Sequence, residues 1–239
     1  MSRGIYIIGT DTEVGKTVVS AGLLHLLIKN NIRAAYFKPV ASGEVQVEGR
    51  PTPADAAFVQ AVSGFAEDIQ DVTPFSFSDE VAPHLAARLA QRPIDQQRIV
   101  EALDALKKKY EVIIGEAAGG LAVPLDDDGF FMQYDLIRSL GFSCLLVARA
   151  GLGTINHTLL TLRAARGAGL RVKGIVVNGS GGSLLEQDNI AMIQKLGGLD
   201  DVFVLPAITP FCTAPPSALH RAYENAFNIE KLLSLMDPL

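Results

Sequence analysis

Nine residues near the start of the chain, Gly9-Thr10-Asp11-Thr12-Glu13-Val14-Gly15-Lys16-Thr17, have the types and spacing to hold a polyphosphate. Gly15 lets the backbone turn tightly. Successive N–H groups, together with the N-terminus of a following helix, then aim at phosphate oxygens. Lys16 reaches the β- and γ-phosphates, and the Thr17 hydroxyl ligates magnesium. The loop is one residue longer than the G-x-x-x-x-G-K-[ST] pattern, because Thr10 stands where the first glycine would be. It implies binding of a magnesium–nucleoside triphosphate. The competing possibility is a plain strand-to-helix turn with an exposed lysine. An apolar strand before the loop and an apolar helix after it argue for the phosphate loop.

Other groups placed to do chemistry follow short apolar runs. Lys38, in Lys38-Pro39-Val40-Ala41-Ser42-Gly43, can sit over a triphosphate or be a solvated strand-end lysine. Asp55 opens a helix after Pro53, where it can support magnesium or simply offset the helix dipole. Glu116 precedes Ala117-Ala118-Gly119-Gly120, in the position of a magnesium-supporting acid. Asp126-Asp127-Asp128 do not face one point and read as a solvated loop. Gly151-Leu152-Gly153-Thr154-Ile155-Asn156 begins a helix whose free N–H groups suit a carboxylate, with capping by Thr154 or Asn156 as the alternative. Asn178 can read a purine edge or cap the turn before Gly179-Ser180. His157 lacks a paired Ser or Cys for a nucleophilic triad, and His25 reads as a packed residue of the first helix. His84 and His220 stay unplaced, and the four histidines show no metal-ligand spacing.

The elements that must position these groups are short apolar strands alternating with longer helical patterns. Strands are expected over 5–8, 34–37, 112–115, 143–148, 172–178 and 202–205. Helices are expected over 16–29, 54–62, 81–90, 95–109, 130–140, 154–168, 184–196 and 230–235. Continuous rather than alternating apolar strands imply a mostly parallel sheet with helices on both faces, a doubly wound α/β fold of the P-loop NTPase type. The polar, Gly- and Pro-containing stretch 40–53 reads as an active-site loop inside one domain spanning 1–239. In such sheets ligands bind beyond the carboxyl ends of the strands, which is where Gly9 to Thr17, Lys38, Glu116 and Asn178 fall.

Bulk properties narrow the function. The chain has 239 residues, 49% of them hydrophobic, and a formal net charge of −5. That balance argues against nucleic acid or anionic membrane as a partner, since both usually need a basic surface. No run approaches the roughly 18 apolar residues of a membrane span. The start Met1-Ser2-Arg3-Gly4 lacks the longer apolar region of a secretory leader, so a cytoplasmic location is expected. Cys144 lies in an apolar run and reads as core. Cys212 falls in a loop and receives no role; two isolated cysteines make no disulfide framework.

Over nearly its whole length the chain resembles the dethiobiotin synthetases. The resemblance is carried by Gly9 to Thr17, Lys38 to Gly43, Asp55-Ala56, Pro83-His84, Glu116 with Ala118-Gly119-Gly120, Gly153 to His157, and Asn178. The phosphate loop paired with a Lys-Pro-Val-Ala-Ser-Gly run about twenty residues on is the specific part. The resemblance implies closure of a ureido ring on 7,8-diaminononanoate with CO2 and ATP, through a carbamate and a mixed carbamic–phosphoric anhydride. It also implies roles. Lys16 and Lys38 would stabilise charge on the phosphoryl group and the carbamate. Thr17, Asp55 and Glu116 would hold Mg2+. Glu13, Val14, Gly15 and Val18 would complete the phosphate site, with Ala117, Ala118 and Gly119 beside it. Asn178, Pro206, Ala207 and Ile208 would face the base. Thr12 and Ser42 would contact the diamine or carbamate. The family's homodimer would bring Gly153, Thr154 and Asn156 of one subunit to the substrate carboxylate of the other. This chain has Ala117 and Gly179 where the family more often has Gly and Asp.

Two other readings compete. A partition or septum-positioning ATPase would carry an extra lysine early in the loop, whereas residues 10–14 are Thr-Asp-Thr-Glu-Val. A synthetase-like domain of a larger enzyme is the second; Lys38 and Ser42 together favour the synthetase.

Overall fold

The computed structural model describes residues 2–208 and 215–239. The first apolar run forms β1 (Arg3–Gly9), in which Ile5, Tyr6, Ile7 and Ile8 have no exposed surface. The phosphate-loop residues lead into α1 (Lys16–Lys29), whose buried residues fall nearly all round the helix. β2 (Ala34–Phe37) follows, wholly buried.

The stretch expected to be irregular is ordered instead. It forms β3 (Val40–Ser42), β4 (Glu44–Val47) and β5 (Arg50–Pro53). β4 and β5 pair antiparallel around Glu48 and Gly49, which have φ of 51° and 76°. Two successive positive φ values are what a two-residue hairpin turn of matching twist requires. Glu-Gly is not one of the dipeptides that announce such a turn, so the hairpin is hard to see in the sequence.

The remaining elements run α2 (Ala54–Ser63), α3 (Ile69–Val72), β6 (Phe75–Phe77), α4 (Pro83–Leu89), α5 (Gln96–Lys109), β7 (Val112–Glu116), α6 (Gln133–Leu140), β8 (Ser143–Arg149), α7 (Thr154–Gly167), β9 (Val172–Ser180), α8 (Leu184–Gly197), β10 (Val202–Pro206), α9 (Pro216–Ala226), α10 (Ile229–Ser234) and β11 (Asp237–Pro238). Two expected helices start two or three residues later than expected. Pro83 opens α4 at the first helical turn, the place a proline tolerates. Before α6, Met132 bridges to Pro124 rather than joining the helix. α3, β6, α9 and β11 were not anticipated; three of them are four residues or shorter, too short for a periodic signal.

The main sheet has the order β10-β9-β8-β1-β7-β2, all parallel, with β11 antiparallel to the start of β1. Helices flank it, as expected for the doubly wound class. Register decides the site. Ile7 of β1 lies abreast of Glu116 of β7, and Phe37 of β2 lies abreast of Gly115. The carboxyl ends of β1, β7 and β2 therefore finish together, and the next residues from each strand enter one space. β3 pairs parallel with β6, with Ser42 abreast of Phe77, and walls that space from the side. Among the described residues no helix is long and apolar enough to cross a membrane.

Packing beneath this junction is tight. A Cβ placed on Gly115 would lie 2.2 Å from the ring of Tyr6, which is fully buried and held edge-on by Phe142. Gly115→Ala should therefore destabilise the fold by about 1–3 kcal/mol, the usual cost of overpacking a core. Urea unfolding monitored by circular dichroism checks this; an unchanged midpoint would show that the ring yields without cost.

Candidate nucleotide and substrate site

Beyond the ends of β1, β7 and β2 lies a cavity of about 650 Å³. The phosphate loop forms one side of it. Gly15 takes the left-handed conformation, φ 93°, immediately before α1, and Glu13 also has a positive φ of 57°. The Lys16 ammonium is buried and donates to the Asp11 carbonyl at 2.9 Å. Asn178, near the end of β9, braces the loop from outside by donating to the Val14 carbonyl at 3.0 Å. Its amide lies so close that a Cβ on Gly15 would stand 2.0 Å from Nδ2. Arg149, at the end of β8, donates to the Thr12 carbonyl at 3.0 Å.

At the base of the cavity is a compact polar cluster. The Thr17 hydroxyl lies 2.8 Å from Asp55 Oδ1 and 2.9 Å from Glu116 Oε1. Lys38 Nζ bonds Asp55 Oδ2 and lies 2.9 Å from Glu116 Oε1. The buried Tyr36 hydroxyl donates to Glu116 Oε2 at 3.0 Å. Glu116 has no exposed surface, and Lys38 is 4% exposed. A charge so deeply buried persists only when paired and hydrogen-bonded, and both are.

The charges set one another's protonation. Burial works to lower Lys38, but the Glu116 and Asp55 carboxylates outweigh it and hold its ammonium above the usual lysine range. Burial works to raise Asp55, but Lys38 and the Thr17 hydrogen bond hold it below the usual carboxylate range. Lys16 differs. Burial dominates, its attraction to Glu116 is partly undone by repulsion from Lys38, and its pKa is pushed down to about 8.

Three hard oxygen donors, from Thr17, Asp55 and Glu116, converge here. That donor chemistry suits a small divalent cation such as Mg2+, and the two carboxylates against the one Lys38 ammonium leave the cluster a net negative charge to receive it. Among the described residues no group of three or more His, Cys, Asp or Glu is placed to hold a metal. Asp126 and Asp127 are used locally, by the Phe131 N–H and by Arg88 respectively.

The structure brings Thr12, Glu13, Gly15, Lys16, Thr17, Val18, Lys38, Ser42, Asp55, Glu116, Ala118 and Gly119 to the cavity wall. Other expected residues lie elsewhere. Ala117 is fully buried, its N–H bonded to the Ile7 carbonyl at 3.0 Å, and does not line the cavity. Val14, within the loop, is buried and does not line this cavity. Pro206 ends β10 and Ala207 and Ile208 follow it, at the strand end next to Asn178, with the Ala207 N–H bonded to the Ser180 carbonyl, outside the cavity wall. Gly153 and Asn156 are exposed, while Thr154 is buried and donates to the Arg149 carbonyl. Thr154 lines a separate pocket of about 120 Å³ with Asp11, Arg149 and His157. Neither Thr154 nor Asn156 caps α7; Gly153 is the N-cap residue, and no side chain bonds there. Cys144 is buried as expected. Cys212 and the rest of 209–214 lie outside the described residues. His25 packs as expected, stacked on His220 at 3.6 Å.

Several neighbours were missed. Tyr36 is two residues before Lys38, and strand alternation puts i and i+2 on one face, so its contact with Glu116 was in principle visible. Asp11, which accepts from Lys16 through its carbonyl, gives no side-chain signal. Glu80, Val81 and Ala82 line the cavity from the segment leading into α4, and only the nearby Pro83-His84 pair hinted at them.

A parallel sheet whose first strand runs through a Gly-Lys-Thr loop into a buried helix, with an acid ending a neighbouring strand, defines a P-loop nucleotide-binding protein. A family model described as an AAA domain matches residues 3–212. Solved structures of similar fold include the septum site-determining protein MinD of Pyrococcus horikoshii in complex with Mg-ADP, with TM-score 0.60, 18% identity and 93% of each chain covered. MinD of Aquifex aeolicus gives TM-score 0.59 at 14% identity over the full length of both chains. At those identities the likeness shows the fold alone. Sequence relatives are nearer. The ATP-dependent dethiobiotin synthetase BioD of Clostridium kluyveri is 40% identical over 241 residues, 100% of both chains. That of Clostridium novyi is 42% identical over 87% of this chain and 89% of its own. That of Bacillus subtilis is 36% identical over 86% and 88%. The chain belongs to the family of ATP-dependent dethiobiotin synthetases, ligases of biotin biosynthesis.

Lys16 gives the site a pH dependence whose sign follows from its depressed pKa. Phosphate oxygens need the ammonium form. Below about pH 8 that form is already present; above it, binding must also draw in a proton. Nucleotide affinity should therefore fall as pH rises, by about tenfold from pH 7 to pH 9. Titration with a fluorescent ADP analogue across this range checks it, and a flat profile would show that Lys16 stays charged throughout.

Proposed function

We propose that this protein closes the ureido ring of dethiobiotin from 7,8-diaminononanoate, CO2 and ATP. One amine of the substrate and CO2 form a carbamate. A carbamate oxygen attacks the γ-phosphorus of ATP, the bond to ADP breaks, and a carbamic–phosphoric anhydride results. The second amine then attacks the carbonyl carbon, phosphate leaves, and the nitrogen gives up its proton. The observation that carries this reading is the placement of Lys38. It is buried, pinned between two carboxylates, and lines the same cavity as Lys16, Thr12 and Ser42. Full-length likeness to dethiobiotin synthetases at about two-fifths identity supports the same chemistry.

Each residue then has a task. The phosphate-loop N–H groups and Lys16 bind the β- and γ-phosphates. Lys38, fixed in position by Glu116 and Asp55, faces the transferring group and the carbamate, where a preorganised charge costs no reorganisation as the reaction proceeds. Thr17, Asp55 and Glu116 would hold Mg2+, which when bound neutralises phosphate charge. Thr12 and Ser42 orient the diamine. Asn178 and residues 206–208 face the base. The active form is a homodimer in the cytoplasm, with Gly153, Thr154 and Asn156 of one subunit completing the carboxylate end of the other's substrate site.

A switch ATPase related to septum-positioning proteins shares the fold, yet residues 10–14 contain no lysine and Lys38 has no place in such a reading. One assay separates the two. With diaminononanoate, bicarbonate and Mg-ATP, dethiobiotin should accumulate; phosphate release without the ureido product would overturn the synthetase reading. Lys38→Ala, checked for native circular dichroism because it leaves Glu116 short of a partner, should lower turnover at least about a hundredfold. Near-normal turnover would remove Lys38 from the mechanism. Sedimentation of the active enzyme should give a dimer, and full activity from a strict monomer would exclude the shared site.

A further inference from the structure

Two carboxylates line the cavity outside the cluster at its base, Glu13 within the phosphate loop and Glu80 across from it beside Ser42. Glu80 belongs to the segment between β6 and α4 and lines the cavity together with Val81, Ala82 and Pro83. It stands beside Ser42. β3 and β6 run in register up to Ser42 and Phe77, and the Gly43 N–H continues the pairing to the Phe77 carbonyl at 2.9 Å. The Glu80 side chain lies directly over Gly43: a Cβ there would meet Glu80 Cγ at 2.8 Å and Oε1 at 3.1 Å. Gly43 has φ +90°, so the backbone turns there without a side chain, and the space left is filled by the glutamate.

The charge pattern makes this placement informative. Lys38, Asp55 and Glu116 satisfy one another, and Lys16 is held by a carbonyl. Among the described residues Glu80 makes no ion pair or hydrogen bond. An unpaired carboxylate weakens binding of a triphosphate in the same cavity. Glu80 is exposed to the cavity, where its carboxylate beside Ser42 can meet a cation, and the cation that the proposed reaction brings there is an amine of the substrate. We infer that Glu80 accepts hydrogen bonds from an ammonium group of the diamine, so that it selects an amine-bearing substrate and orients it beside Ser42. This rests on the ring-closing function proposed above and adds to it a residue that determines specificity.

Steady-state kinetics on the full-length enzyme test it, with KM measured separately for diaminononanoate and for Mg-ATP. Glu80→Gln should raise KM for the diamine by about tenfold, the scale for losing one hydrogen bond to a charged group. KM for Mg-ATP should not rise, because losing a negative charge cannot weaken binding of a triphosphate, and Glu80→Asp should recover part of the loss. Nonanoate, which has no amine, should inhibit wild type and Glu80→Gln equally. Asp79→Asn, which removes a neighbouring charge that does not line the cavity, should leave both KM values unchanged. An unchanged diamine KM in Glu80→Gln, or an equal rise in Asp79→Asn, would overturn the assignment while leaving the synthetase function standing. Failure of the wild-type enzyme to make dethiobiotin would overturn both.

Discussion

Glu116 is a carboxylate with no surface in contact with solvent, and much of the site exists to compensate it. Removing either member of a buried ion pair leaves an unbalanced charge that costs about 3–5 kcal/mol. Here the compensation comes from three residues: Lys38 just past β2, Thr17 in the first turn of α1, and Tyr36 within β2. Asp55, from the first turn of α2, joins through Lys38 and Thr17. The five contacts fix the positions of β2, α1 and α2 around the end of β7. The same groups that make the fold electrostatically possible are those placed to meet a nucleotide, so stability and catalysis draw on one set of side chains.

The sheet register turns this local need into a working geometry. With Ile7 abreast of Glu116, the chain leaving β1 rises past the carboxylate and folds back as the phosphate loop. Lysines then approach from two sides, Lys16 from the loop and Lys38 from β2. They are tuned differently because their surroundings differ: Lys38 touches both carboxylates, whereas Lys16 relies on a carbonyl and feels the repulsion of Lys38. Lys38 keeps its charge well into alkaline solution, whereas Lys16 is charged near neutral pH and gives up its proton above about pH 8.

How much of this was legible depended on the kind of signal. The main strands and helices were readable because a fully parallel sheet needs continuous apolar runs, and α1 and β2 appear with the expected bounds. The phosphate loop was readable because its function needs specific residue types at fixed spacing. Asp55 was ambiguous: an acid at a helix start serves the helix dipole equally well, and only its contacts with Thr17 and Lys38 settle where its oxygens point. The hairpin of β4 and β5 stayed hidden because its turn uses Glu48, an unusual residue at positive φ. Ala117 lies off the cavity wall, and adjacency to Glu116 in sequence does not reveal that it is buried in the core. Glu80 was invisible because its position is set by a β3–β6 pairing between segments more than thirty residues apart.

Asn178 and Gly15 illustrate how a brace becomes a commitment. The amide from β9 grips the phosphate loop at Val14, and it fits only because position 15 carries no side chain. The space belongs to one residue or the other. A side chain at position 15, even asparagine, which a left-handed turn accepts, would have to push the amide aside and loosen its hold on Val14. The loop and the strand end, over 160 residues apart in sequence, are mechanically joined, so that what is built at one is felt at the other.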